Sequence, residues 1–251
     1  MDGLTLRSRT ALAASLVGVA LVAWIVTVQR MRGMDAGPGT DLGAFGWYVG
    51  IWVTMMSAMM LPSAAPTVLM FARVRRGAAT WVFTLGYLLV WTGYGLAAYA
   101  VYRGIRAAAP SFLAWDDRGP WVAGGALVAA GLWQLTPLKT LCLRHCRSPL
   151  HWLLRGRSGR LGAVWMGIEH GAFCVGCCTG LMLALFALGV MSLFWMAVVA
   201  ALILAEKVLP IGARLPRAFA PLFVALGLWV ALALGSVPGL TQPHGMLMPP
   251  R

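Results

Sequence analysis

Long apolar runs are the feature that most constrains this chain. Seven such runs can be drawn along the 251 residues, several of them about as long as the roughly 20 residues that a helix needs to cross a bilayer. Charged residues make up 11% of the sequence, less than half of the roughly 25% found in soluble domains. This pattern excludes a soluble globular enzyme, a disordered chain and a fibrous protein. It predicts an all-α fold, a polytopic transmembrane bundle of about seven helices.

The seven candidate spans are expected to form a single transmembrane domain over 1–251. Gly and Pro recur inside them, as membrane helices tolerate. The fourth and sixth are short for a complete crossing, whereas the second and fifth are long enough to tilt or break. The spans cover 10–28, 44–71, 80–102, 121–135, 161–187, 192–205 and 218–234.

The distribution of Lys and Arg sets the expected orientation. With the N-terminus in the cytoplasm, the inside segments carry 14 of the 20 basic residues and the outside segments carry 6. The positive-inside rule favours this arrangement, which makes 136–160 a basic cytoplasmic loop. The same rule explains the net charge of +13 without nucleic acid as a partner. We expect a multi-pass protein of the inner (cytoplasmic) membrane, with the lipid bilayer as its first partner.

The densest group of chemically active side chains lies in the fifth span. His170, Cys174, Cys177 and Cys178 share an arc of about 100° on a helix, over about two turns. Thiolate and imidazole ligands select soft or borderline ions such as Cu(I) and Zn(II). The alternative is close helix packing, because Cys can act as a small apolar residue and glycines recur nearby.

The second span offers thioether ligands. Met55 and Met59 are four positions apart, so both lie on one face of a helix. Thioethers ligate Cu(I) and few other common ions, and this spacing is similar to the Met-x-x-x-Met pair of membrane copper-uptake channels. Met also fills irregular gaps in a core, so packing is the competing interpretation.

A second group of thiols lies in the basic loop. Cys142 and Cys146 are one helical turn apart, with His145 beside them and cations nearby that favour the thiolate, among them Lys139 and Arg147. In the reducing cytoplasm such a pair suits capture or hand-over of a metal better than a structural disulfide. A basic interfacial helix with incidental cysteines is the alternative.

Two glutamates are the acids that lie in or beside apolar runs. An acid in a membrane span is a functional-site hypothesis by default. Glu206 abuts Lys207, so it either pairs with a cation or marks the end of a helix. Glu169 projects about 100° away from His170, which favours a supporting or packing role over direct ligation.

Four motifs stand together in this chain: Met59-Met60-Leu61-Pro62, Pro137-Leu138-Lys139-x-x-Cys142-Leu143-x-x-Cys146-Arg147-Ser148-Pro149, His170-Gly171-x-x-Cys174-x-Gly176-Cys177-Cys178 and Ala205-Glu206-Lys207. The combination resembles a bacterial family of predicted metal-binding integral membrane proteins, catalogued as a domain of unknown function. The resemblance covers about 46–210. It implies that ten residues belong to one recurring design: Lys139, Cys142, Cys146, Arg147, His170, Cys174, Cys177, Cys178, Glu206 and Lys207.

These patterns predict a membrane protein that binds a soft transition metal, with copper as the first candidate and zinc as the second. Its role is transport, sensing or delivery, and its protein partner is a metal donor or acceptor. A membrane thiol–disulfide oxidoreductase is the alternative, because Cys174 and Cys177 form a C-x-x-C pair. A non-catalytic accessory subunit is the third hypothesis. The chain carries none of the common nucleotide-binding or hydrolase motifs, so a non-enzymatic role is favoured without being decided.

Overall fold

A computed structural model describes residues 6–32, 42–75, 77–108, 119–148, 159–190 and 192–233. All the regular structure in these ranges is helical. A short 3-10 helix, Pro210–Ala213, lies between the last two α-helices. The α-helices are α1 (Leu6–Met31), α2 (Phe45–Val74), α3 (Ala78–Ala108), α4 (Gly119–Gln134), α5 (Pro137–Arg147), α6 (Gly159–Leu188), α7 (Leu193–Val208) and α8 (Leu215–Ala233).

The predicted all-α class is confirmed, and each predicted apolar segment falls on a helix of its own. Residue 234, the last of the seventh segment, lies outside the described residues. Five helices, α1, α2, α3, α6 and α8, are long and apolar enough to cross a membrane. The pair α4 and α5, bent by 63° at its junction, would make a sixth crossing if it acts as one broken span. Seven crossings with a cytoplasmic N-terminus stay a prediction.

One helix beyond the seven predicted segments, α5, lies in the segment that the sequence predicts as a basic loop. It begins after Thr136, whose hydroxyl accepts a hydrogen bond from the backbone N–H of Lys139 at 3.2 Å, and Pro137 occupies its first turn. Both features are strong helix-start signals. Although α5 is rich in basic residues, its Lys139, Cys142 and Cys146 are buried. Residues 149–158 of the predicted loop lie outside the described residues.

Two helices, α2 and α6, form the centre of the bundle, and most of their residues are buried. α2 packs on α1, α3 and α7, whereas α6 packs on α3, α4 and α5. The α3–α6 contact is close because small residues line it. A Cβ at Gly171 would lie 2.9 Å from the Val90 Cβ and 3.1 Å from the Tyr87 carbonyl oxygen. This approach brings Tyr87 next to Cys174, one turn further along α6.

Candidate metal centre

Three cysteine sulfurs meet on α6, as their spacing along the helix predicts. The Sγ atoms of Cys174, Cys177 and Cys178 lie within 4.8 Å of one another, and those of Cys177 and Cys178 are 3.5 Å apart. All three side chains are fully buried. Sulfurs that share one ion through bonds of about 2.3 Å lie about 4 Å apart. The spacing and the soft donor set therefore fit a copper or zinc ion.

The remaining two cysteines approach this cluster from α5. The Cys146 Sγ lies 3.7 Å from the Cys177 Sγ. Cys142 packs against Gly176, where a Cβ would lie 2.7 Å from the Cys142 sulfur, so the glycine leaves room for it. The α5 thiols are 5% and 7% exposed, against 0% for the three on α6. All five cysteines are therefore buried, those on α5 slightly less completely than those on α6.

Polar side chains from three other helices converge on Cys174. The Lys207 ammonium on α7 donates to the Cys174 sulfur at 2.8 Å and to the Ser63 hydroxyl of α2 at 3.3 Å. The hydroxyl of Tyr87 on α3 lies 3.0 Å from the same sulfur. Ser63 in turn donates to the Met60 carbonyl at 3.0 Å, which fixes its side chain. Cys174 is therefore the point at which α2, α3, α6 and α7 meet.

A buried ion pair anchors α5 beside this site. The Lys139 ammonium donates to Glu206 Oε2 at 2.6 Å, and both side chains are excluded from solvent. The Arg147 guanidinium adds bonds to the backbone carbonyls of Glu206 at 2.5 Å and Pro210 at 3.3 Å. Glu206 thus pairs with a cation from another helix, one of the two roles that the sequence left open for it. These contacts hold α5 against the end of α7.

The two predicted histidines have different settings. His170 is buried on α6 and stacks on Tyr87 and Phe83, with ring centroids 5.5 Å and 6.0 Å away. Among the described residues, three potential ligand atoms lie within 4.8 Å of one another, and they are the α6 thiols. His170 is not part of this group. His145 on α5 stacks on Phe173 at 4.1 Å. Ligation by His170 stays a prediction.

The remaining predicted site residues are two methionines on α2 and one glutamate on α6. Met55 and Met59 are buried in the same hydrophobic cluster as all five cysteines. Ligation by the two methionines stays a prediction. Glu169 is exposed on α6, which places it on the face opposite the buried side of that helix.

A sequence model of one protein family, described as PpoB2, copper chaperone, matches residues 49–230. The match covers well over half of the chain. The chain belongs to the PpoB2 copper chaperone family. The matched PpoB2 region runs from within α2 to within α8, so it includes all five cysteines and Lys207. Membership agrees with the metal-related family that the motifs resemble. No curated protein and no solved structure matches the chain.

Two residues of the centre are missed by the sequence analysis. Tyr87 and Ser63 both contact the group around Cys174. A buried Tyr hydroxyl normally has a hydrogen-bond partner, so a Tyr within an apolar run is a weak signal for such a role. Ser63 carries no comparable signal, because membrane helices commonly contain Ser bonded to their own backbone.

Proposed function

We propose that the protein binds Cu(I) through the thiolates of Cys174, Cys177 and Cys178 and passes it to or from a partner protein by way of α5. The observation that carries this proposal is the set of three fully buried sulfurs within 4.8 Å of one another. Soft thiolate ligands favour Cu(I) over hard ions. The description of the family as copper chaperone supports copper over zinc as the cargo.

The buried charges support a thiolate at this site. Lys139 and Glu206 neutralise each other, and theirs is the one salt bridge in the part of the chain that the structure describes. Lys207 is also buried, and its ammonium lies on the Cys174 sulfur. A buried ammonium without a counter-charge is costly. A thiolate at Cys174 supplies that charge and prepares the site for a cation.

The arrangement of α5 supports exchange rather than permanent storage. Cys146 lies 3.7 Å from Cys177, and Cys142 packs one turn away along α5 against the same helix. A metal bound on α6 can therefore exchange ligands with α5 without first entering water. Cys142 and Cys146 are 5% and 7% exposed, and at these two thiols the ligands of a partner protein would take over.

We also propose that the bundle lies in the inner (cytoplasmic) membrane, with a cytoplasmic N-terminus. Five long apolar helices support the membrane placement, and the uneven distribution of Lys and Arg supports the orientation. Exposed apolar side chains are frequent on α1 and α8, the helices that would face lipid. Accessibility labelling of single cysteines at the two ends of α1, in a background with other thiols blocked, tests the orientation.

Elemental analysis tests the metal proposal. The protein is purified in mild detergent under reducing, oxygen-free conditions and loaded with Cu(I), and its copper content is compared with that of Cys174→Ser plus Cys177→Ser. We expect about one copper per chain in the parent and a large loss in the variant. Ser15→Ala is the matched control, because the Ser15 side chain is exposed and its hydroxyl donates to the Ala11 carbonyl of its own helix. Equal copper content in parent and cysteine variant would end the proposal.

The oxidoreductase alternative makes a different prediction about the same thiols. Cys174 and Cys177 are fully buried, whereas thiol–disulfide exchange requires access for a partner's sulfur. Rapid alkylation of cells under acid quench separates the two hypotheses. A Cys174–Cys177 disulfide that forms and disappears with growth conditions supports the oxidoreductase, and thiols that are reduced and protected by copper support the chaperone.

A further inference from the structure

A pocket that none of the metal-centre residues lines lies between the end of α1 and the beginning of α2. Its volume is about 230 Å³. Apolar walls come from Val26, Ile51 and Trp47, and Thr27, Arg30 and Thr54 are the polar residues of the lining. Pockets that hold drug-sized molecules are larger, about 300–1,000 Å³. The size therefore suits a small polar group rather than a whole metabolite.

One polar group of the pocket lacks a hydrogen-bond partner among the described residues. Thr27 is 2% exposed, and its hydroxyl has no hydrogen-bond partner among the described residues. Thr54, on the opposite wall, shows the usual alternative, since its hydroxyl donates to the Gly50 carbonyl at 2.8 Å. A buried hydroxyl without a partner is costly, so Thr27 points to an acceptor that the described residues do not provide.

The charge of the pocket is positive. The Arg30 guanidinium lies over the Trp47 ring, 5.4 Å from its centroid. The salt bridge found in the described residues joins Lys139 to Glu206 and does not include Arg30. Guanidinium groups bind phosphate oxygens bidentately, and tryptophan is enriched at the level of lipid headgroups. The position of the pocket at two adjacent helix ends matches that level.

We propose that this pocket binds the phosphodiester headgroup of an anionic phospholipid. Arg30 pairs with the phosphate, and the Thr27 hydroxyl donates to one of its oxygens. The acyl chains continue along α1, where Val22 and Val26 lie two turns and one turn before Arg30 on the same side and the exposed Val19 lies beside them. These valines distinguish a lipid from free phosphate, which would leave the apolar face uncovered. The proposal rests on the membrane placement proposed above and is independent of copper.

Native mass spectrometry of the detergent-solubilised full chain tests this inference, with phosphatidylglycerol and phosphatidylcholine as the two probes. The variants are Arg30→Gln and Thr27→Val, and the exposed Arg103→Gln on α3 is the control with the same loss of charge. We expect phosphatidylglycerol binding to weaken about fivefold in Arg30→Gln, the factor that one basic side chain contributes near an anionic surface. Thr27→Val should weaken it several-fold without lowering the melting temperature of the lipid-free protein, because the lost hydroxyl had no partner.

Four results would overturn the proposal. They are equal losses in Arg30→Gln and Arg103→Gln, unchanged lipid binding by Thr27→Val, equally tight binding of phosphatidylcholine, and displacement of the lipid by inorganic phosphate at similar concentration. Copper content of each variant shows that the fold is intact. Conversely, lipid binding by Cys174→Ser plus Cys177→Ser separates failure of this inference from failure of the copper proposal.

Discussion

Replacing Lys207 with leucine is the sharpest test of how the metal centre is built. The substitution removes the ammonium that lies 2.8 Å from the Cys174 sulfur and 3.3 Å from the Ser63 hydroxyl. Leucine adds no donor atom and no new metal ligand. Cys174 can then stay a neutral thiol in the metal-free protein, so little folding stability should be lost.

Copper binding should suffer much more. Cu(I) held by three thiolates carries excess negative charge in a site that water does not reach, and Lys207 supplies the compensating positive charge. A hydrogen bond to a charged group contributes about 1.5–3 kcal/mol. Since about 1.4 kcal/mol corresponds to a factor of ten, the dissociation constant for Cu(I) should rise roughly 10- to 150-fold.

Competition with a chromogenic Cu(I) chelator under oxygen-free conditions measures that constant, and thermal unfolding of the metal-free protein measures stability. Lys139→Leu is the matched control, because it removes the other buried ammonium and leaves Glu206 without its partner. That variant should lose about 3–5 kcal/mol of stability. Unchanged copper affinity in Lys207→Leu, or equal destabilisation of the two variants, would refute the reasoning.

Three further variants separate the roles of individual contacts. Cys146→Ser removes the sulfur that lies 3.7 Å from the Cys177 sulfur. The variant should keep its copper content but release copper to a chelator several-fold more slowly, which stopped-flow mixing measures. Gly171→Ala should lower the free energy of unfolding by about 1–3 kcal/mol, because the added methyl group overpacks α3 against α6. Gly93→Ala, whose methyl group meets open space, should not lower it, and calorimetry compares the two variants. His170→Phe removes the imidazole nitrogens and keeps an aromatic ring in the stack on Tyr87. Elemental analysis then separates a site of three thiolates, which keeps its copper content, from the predicted ligation by His170, which loses it.

The sequence predicts the helices well because lipid-length apolar runs leave few alternatives to a helix. The grouping of Cys174, Cys177 and Cys178 is also predictable, since helical geometry alone places them on one face. These inferences need only local information. The same is true of the turn between Cys142 and Cys146.

Contacts between distant segments could not be predicted in this way. α5 appears polar in sequence, yet its Lys139 is buried because Glu206, 67 positions later, neutralises it. The bond between Lys207 and Cys174 spans 33 positions. Neither pairing follows from periodicity, because periodicity describes which face of a helix is apolar but not which helix packs there.

The five thiols lie on two helices of different length, the long α6 and the short α5, which begins at a bend of 63° after α4. Cys174, Cys177 and Cys178 share one long helix, so their mutual distances are fixed by its backbone. Cys142 and Cys146 lie on an 11-residue helix that the Lys139–Glu206 ion pair and the Arg147 hydrogen bonds hold against α7. Any displacement that separates the two groups of thiols would therefore have to break a buried ion pair, which ties the spacing of the sulfurs to the charges of Lys139 and Glu206.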